Sequence, residues 1–136
     1  MRLKVIIPVL VIFVSGAANG LHETLHYHYA SFQKRFKNAD PTYWNPAESW
    51  GNKYEGGKQE NGEKFLFSST FLVFLTDAKH LLSEAHRDLL MIGCFMLGYF
   101  YREIKNRHHY LIVLLALALM YGIQAAGFTI VYDLIF

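Results

Sequence analysis

The chain has almost no cysteine and little charge. Of its 136 residues one is cysteine, Cys94, and 18% are charged, with a formal net charge of +2. A lone thiol excludes an internal disulfide framework, a Cys-rich zinc finger and a thiolate-held iron–sulfur cluster. The near-neutral balance lacks the concentrated basic face of a nucleic-acid binder, so no nucleic acid is expected as a partner. The composition is too apolar for a disordered tail, and it carries neither a collagen repeat nor a coiled-coil pattern.

What the chain does have is 53% hydrophobic and 16% aromatic residues, bunched into long runs that point to a membrane. From Tyr110 to Tyr132 the polar side chains, tyrosines aside, are Gln124 and Thr129, and the run exceeds the roughly 20 residues a span needs. Leu89–Tyr101 is apolar over 13 residues and borrows Ala85–Asp88 to cross. Between the two lies Arg102-Glu103-Ile104-Lys105-Asn106-Arg107-His108-His109, whose basic residues mark the cytoplasmic side. The first run, Val5–Ala18 after Arg2 and Lys4, reads either as a signal peptide ending at Ser15-Gly16-Ala17 or as an uncleaved span. Either way the chain emerges on the outer face near residue 20.

The expected fold is therefore all-α: a single helical membrane domain over residues 1–136 with three transmembrane helices, possibly four, and an irregular aromatic-rich outer loop. Residues 1–30 hold the first run and a His-rich segment, residues 31–64 the loop, and residues 65–136 the helical membrane region. In the loop, Asp40-Pro41 and Asn45-Pro46 initiate turns, while Gly56-Gly57 and Asn61-Gly62 punctuate it. Tyr43, Trp44, Trp50 and Tyr54 suit an interfacial layer or a lid. Phe65–Leu75 is expected as a helix starting outside, or as a shallow re-entrant piece, with a break before the next span. A four-span alternative makes Phe67–Leu82 a crossing, against the charge rule. The localisation expected is multi-pass, in a bacterial inner membrane, with the 31–64 loop outside the cytoplasm.

Two segments carry ligand-type residues. On a helix, His22, Glu23 and His26 share one arc, and Asp77, His80, Glu84 and Asp88 fall on one stripe with Arg87 at its margin, whereas His86 and Lys79 lie opposite. Glu23…His26 and Asp77…His80 both place a carboxylate three residues before a histidine, the spacing by which bundle helices present both groups to one metal. His22…His26 is independently a pair suited to chelation from one face. The topology brings both segments to the outer interface. The expected metal ligands are thus His22, Glu23, His26, Asp77, His80 and Glu84, with Glu23 or Asp77 as the catalytic base or orienting carboxylate. The metal would be zinc on His22, His26 and His80, or a di-iron or di-manganese pair bridged by Glu23, Asp77 and Glu84. A polar cluster with purely structural duties, or a proton or ion pathway, explains the same residues without a metal.

Trp44-Asn45-Pro46-x-x-Ser49-Trp50-x-Asn52-Lys53-Tyr54, followed by Thr76-Asp77-x-x-His80, resembles a family of small bacterial and phage membrane proteins that carry a His-rich segment after the first apolar run. The resemblance covers most of residues 20–85. It implies membrane residence and brings no activity with it. The His22/His26 spacing is similar in type to zinc ligands of the alkaline ceramidase and adiponectin-receptor hydrolases, a likeness of chemistry alone.

Two functions follow as expectations. One is a metal-dependent membrane hydrolase acting on a lipid or an envelope amide or ester (or a di-iron oxidoreductase), with Phe65–Leu75 and the aromatic loop admitting an acyl chain. The other is a non-catalytic membrane subunit, anchor or interaction protein, homo-oligomeric or part of a complex, with Trp44 and Trp50 as its contacts. Gly93, Gly98, Gly122 and Gly127 are expected to allow close helix approach.

Overall fold

The computed structural model describes residues 2–101 and 109–136. The expected basic link falls at residues 102–108, outside the described residues. Among the described residues the chain is helical with no strand; an isolated bridge joins Tyr54 to Glu63. In order the elements are α1 (Arg2–Tyr27), α2 (Tyr29–Arg35), α3 (Pro41–Trp44), α4 (Pro46–Ser49), a series of short 3-10 turns, α5 (Ala78–Tyr101) and α6 (His109–Thr129), which continues as a π-helical stretch over Ile130–Ile135.

Two stretches are long and apolar enough to cross a membrane: Ile6–Tyr27 in α1 and Leu111–Ile135 in α6. The first run and the His-rich segment are thus one continuous helix. α5 has the length but not the composition, because Lys79, Glu84, Arg87 and Asp88 occupy its first half.

The chain divides into two compact units, Met1–Gly20 with His86–Ile135, and Leu21–Ala85 with Phe136. In the first, apolar side chains cover the surface and few are buried. Leu10, Met91, Phe95, Leu114, Leu119 and Tyr121 are all more than half exposed. What is buried is small. Gly16 packs so closely on α6 that a Cβ there would stand 2.0 Å from the Gln124 carbonyl oxygen. Gly20 does the same at the Phe128 carbonyl, 2.7 Å, and Gly127 answers from α6 at the Phe13 carbonyl, 2.2 Å. Gly16 and Gly20, four residues apart, form a small-xxx-small face that lets the α6 backbone approach closely. Of the four glycines expected to serve this purpose, Gly127 and Gly93 (against Ile12) do, whereas Gly98 and Gly122 meet nothing within 4 Å. A polar contact joins α1 to α5: the Ser15 hydroxyl donates to the His86 carbonyl at 2.8 Å and lies 3.1 Å from His86 Nδ1. His86, expected to point away, thus reaches a buried serine 71 residues earlier.

The second unit is held by an aromatic cluster and by side-chain caps. Leu25, Phe32 and Ala78 are its buried core, with Leu21, Tyr43, Trp44, Leu82 and Phe136 packed around them. The Phe32 ring stacks on Trp44 at 5.2 Å and meets Phe136 at 5.8 Å. Asp40 and Asn45 are more than turn initiators. Each is the N-cap of a one-turn helix with proline at its first position; Asp40 accepts from the Thr42 amide at 2.9 Å and Asn45 from the Ala47 amide at 3.1 Å. Gly56, Gly57 and Gly62 take positive φ, which turns the chain back so that Tyr54 and Glu63 pair.

Phe65–Leu75 corrects the expectation of a helix. It is a chain of turns ending in a single 3-10 turn, Val73–Leu75. The reason is the Glu63 carboxylate, which accepts from the Phe67 amide, the Ser69 amide and the Ser69 hydroxyl and so removes the donors a helix would use. Phe67 is forced to φ 64°, the left-handed region that costs a non-glycine residue of order 1 kcal/mol or more.

Glycine substitutions separate the contacts from the bystanders. Gly16→Leu and Gly127→Ala should each lower the stability of the detergent-solubilised protein by about 1–3 kcal/mol through overpacking. Gly98→Ala and Gly122→Ala should be neutral or stabilising by up to about 1 kcal/mol, since alanine suits a helix better. Unfolding in denaturant reads both.

Candidate functional site

The ligand-type residues of the second unit sit where α1 runs out and α5 begins. Leu25 of α1 packs in one cluster with Ala78 of α5, and the Lys79 ammonium lies close enough for its charge to act on His22. The two segments are therefore neighbours. Their side chains, however, pair within each segment.

On α1, His22 Nδ1 lies 3.2 Å from Glu23 Oε1. The His22 and His26 rings are parallel, with centroids 6.3 Å apart, and His26 also meets the Tyr27 ring edge-on at 4.3 Å. Ahead of α5, Asp77 is 2% exposed. Its Oδ1 accepts from the His80 amide at 2.9 Å, which caps the helix, and its Oδ2 lies 2.7 Å from His80 Nδ1. The Thr76 hydroxyl, donating to the Val73 carbonyl at 2.7 Å, stands 3.2 Å from the same carboxylate oxygen. Burial alone would raise the Asp77 carboxyl, but the His80 side-chain and backbone hydrogen bonds, the imidazole's charge and Thr76 together hold it below the ordinary aspartate value. The His80 side chain remains 37% exposed.

Among the described residues no three histidines, cysteines, aspartates or glutamates come together in a group able to hold a metal ion. His22, Glu23 and His26 are one local group and Asp77 with His80 another. Glu84 lies a turn beyond His80 on α5 and joins neither in a metal-holding set, and Asp88 belongs to the other unit. The arrangement is that of two carboxylate–imidazole pairs. In each the carboxylate engages Nδ1 and leaves Nε2 as the atom open to a proton or a ligand.

The tryptophans divide. Trp44 is part of the aromatic core, whereas Trp50 is half exposed and edge-on to Tyr54 at 6.2 Å. Sequence reasoning does not anticipate Asn52. Its amide donates to the Thr42 carbonyl at 2.6 Å and the Thr76 carbonyl at 3.0 Å, tying the loop to the residue before Asp77. Ser68 is a second such tie; it is buried and donates to the Lys53 carbonyl at 2.6 Å. The tryptophan–asparagine motif is thus largely architecture. No protein-family model, curated protein or solved structure matches the chain, so function must be argued from this geometry.

The Asp77 carboxylate gives a pH prediction. Its folded-state pKa is below the unfolded value of about 3.9, so its stabilisation is present above that pH and lost as pH falls through the folded pKa. Between about pH 5 and pH 2 the wild type should lose urea resistance more steeply than Asp77→Asn, which keeps a capping side chain without the charge.

Proposed function

We propose that the chain is a non-catalytic, multi-pass membrane protein whose residues 21–85 form a surface module seated in the outer leaflet. The observation that carries this reading is the surface of residues 65–75. Leu66, Phe71 and Leu75 are 73%, 79% and 57% exposed, Phe65 and Phe67 are exposed as well, and no charged residue stands between Lys64 and Asp77. Large apolar side chains displayed by a loop of fixed shape suit the boundary between headgroups and hydrocarbon.

Three crossings fit best. Arg2 and Lys4 then lie inside, α5 crosses back on its apolar half with Ala85–Asp88 at its outer end, and α6 returns to the outer side. Phe136 supports this count, because it packs on Phe32 at 5.8 Å and on Phe36 at 6.0 Å, within the same unit as the loop. An even number of crossings would leave it on the opposite face. The membrane is that of a bacterial cell, following the family resemblance of the loop motif.

A single cysteine at residue 66, made as Leu66→Cys in a Cys94→Ser background and carrying an environment-sensitive dye, tests the reading in proteoliposomes. Emission should shift to the blue and be quenched by nitroxides in the acyl chains but not by aqueous iodide. The same dye at Glu60→Cys should behave oppositely. A water-exposed signal at both positions overturns the proposal.

A second reading, the lipid or envelope hydrolase, has the Asp77–His80 pair in its favour. A buried carboxylate that fixes Nδ1 leaves Nε2 able to take a proton from water attacking an ester or amide carbonyl and to return it to the leaving group. Zinc on His22, His26 and His80, or an iron or manganese pair, would need those side chains to turn toward one another. Release of fatty acid from a mixed lipid substrate, abolished in His80→Ala, and about one metal per chain by elemental analysis would favour this reading. Neither result is expected if the module is non-catalytic.

A further inference from the structure

The second unit contains a cleft of about 500 Å³ that none of the residues discussed above uses for chemistry. Its volume falls in the range of small-molecule sites. The walls are of two kinds. Leu21, Phe32 and Trp44, buried or half-buried, form the apolar wall, and exposed Phe36, Arg35 and Lys37 stand at the rim. Both basic side chains are exposed, and from Ser31 to Ala39 the chain carries Lys34, Arg35 and Lys37 with no acid. The first acid beyond, Asp40, already accepts from the amide and the hydroxyl of Thr42, at 2.9 and 2.8 Å. Positive charge at the rim is therefore not cancelled by a salt bridge within the cleft.

An occupant must match both walls: a compact anion at the rim, and hydrocarbon or glycerol on the apolar wall. Leu21 lies within Ile6–Tyr27, the stretch of α1 long and apolar enough to cross a membrane, so the cleft's apolar wall includes a residue of that stretch. A site with hydrocarbon on one wall and two exposed basic side chains at its rim matches the two chemical halves of a phospholipid, acyl chain and phosphate. We infer that this cleft binds one anionic phospholipid of the surrounding leaflet, its phosphate between Arg35 and Lys37 and the upper part of its acyl chain on Phe32, Phe36 and Trp44. Guanidinium and ammonium groups at a lipid surface each favour an anionic headgroup by about fivefold, and the arginine fork matches phosphate geometry. The inference rests on the surface-module reading given above.

The test uses the full chain in neutral detergent, with Trp50→Phe so that Trp44 in the cleft wall dominates the fluorescence. Dioleoyl phosphatidylglycerol should change that emission saturably and remain bound, one per chain, in native mass spectrometry. Dioleoyl phosphatidylcholine and inorganic phosphate alone should do neither. Arg35→Gln with Lys37→Gln should weaken phosphatidylglycerol roughly 25-fold, the product of the two charge contributions. Ala39→Leu, which fills the cleft without altering charge, should also weaken it, and an unchanged thermal midpoint certifies each variant as folded. Equal binding of phosphatidylcholine, binding indifferent to all three substitutions, or phosphate that competes with the lipid at equal strength overturns the inference. So does a lipid-free dimer that dissociates in Ala39→Leu, which would make the cleft an interface between copies. If the dye at residue 66 sits in lipid while the cleft stays empty, this inference alone falls. If the cleft binds lipid while that dye stays in water, the surface-module reading falls instead.

Discussion

A carboxylate withdrawn from water must be met by donors, and Asp77 is met by two: the His80 amide and the His80 ring, with the Thr76 hydroxyl, which donates to the Val73 carbonyl, 3.2 Å away. This one placement sets the start of α5, orients the only imidazole on that helix turn and fixes the end of the loop. The loop in turn hangs on it, because Asn52 grips the Thr76 carbonyl with one amide hydrogen and the Thr42 carbonyl with the other. The capped helices at Asp40 and Asn45, the glycine-turned segment and the aromatic core are thus tied to a single buried charge. Such a junction gives residues 40–80 one fixed shape, because Asn52 and Ser68 each donate to carbonyls from other turns of the segment.

The helices that carry the apolar surface follow a different rule. Leucine and phenylalanine face outward there, and contact is made by glycine, serine and backbone carbonyls. Close backbone packing and a few polar contacts, rather than burial of large side chains, decide which of these faces meet. Gly16 and Gly20 of α1, opposite the carbonyls of Gln124 and Phe128, are the clearest case.

Much of this was legible in the chain. The all-helical class and the two long apolar stretches follow from run length, and the Asp-Pro and Asn-Pro pairs announce the caps. Other features depend on contacts that no local pattern encodes. Ser15-Gly16-Ala17 reads as a cleavage signal as readily as a packing face, although the four-residue spacing of Gly16 and Gly20 was there to be seen. Phe65–Leu75 looks like a helix because apolar runs usually are; one glutamate two residues upstream decides otherwise. The histidine stripes illustrate the limit best. His22 lies beside His26 and Asp77 beside His80, as helical spacing allows, and Leu25 packs with Ala78. Whether the rings then face one another depends on side-chain rotamers, and local carboxylates captured them first.

The spacing of these contacts along the chain has a consequence for the order of assembly. The hydrogen bonds within residues 40–80 are short in sequence, the longest spanning 24 residues from Asn52 to Thr76, so they can form early, although the aromatic core beside them is completed by Phe136. The glycine face of α1 must instead wait for roughly a hundred further residues before Gln124 and Phe128 are made. Throughout that interval its glycine face is open to any other apolar helix, which makes α1 the point at which a nascent chain can be captured by the wrong neighbour.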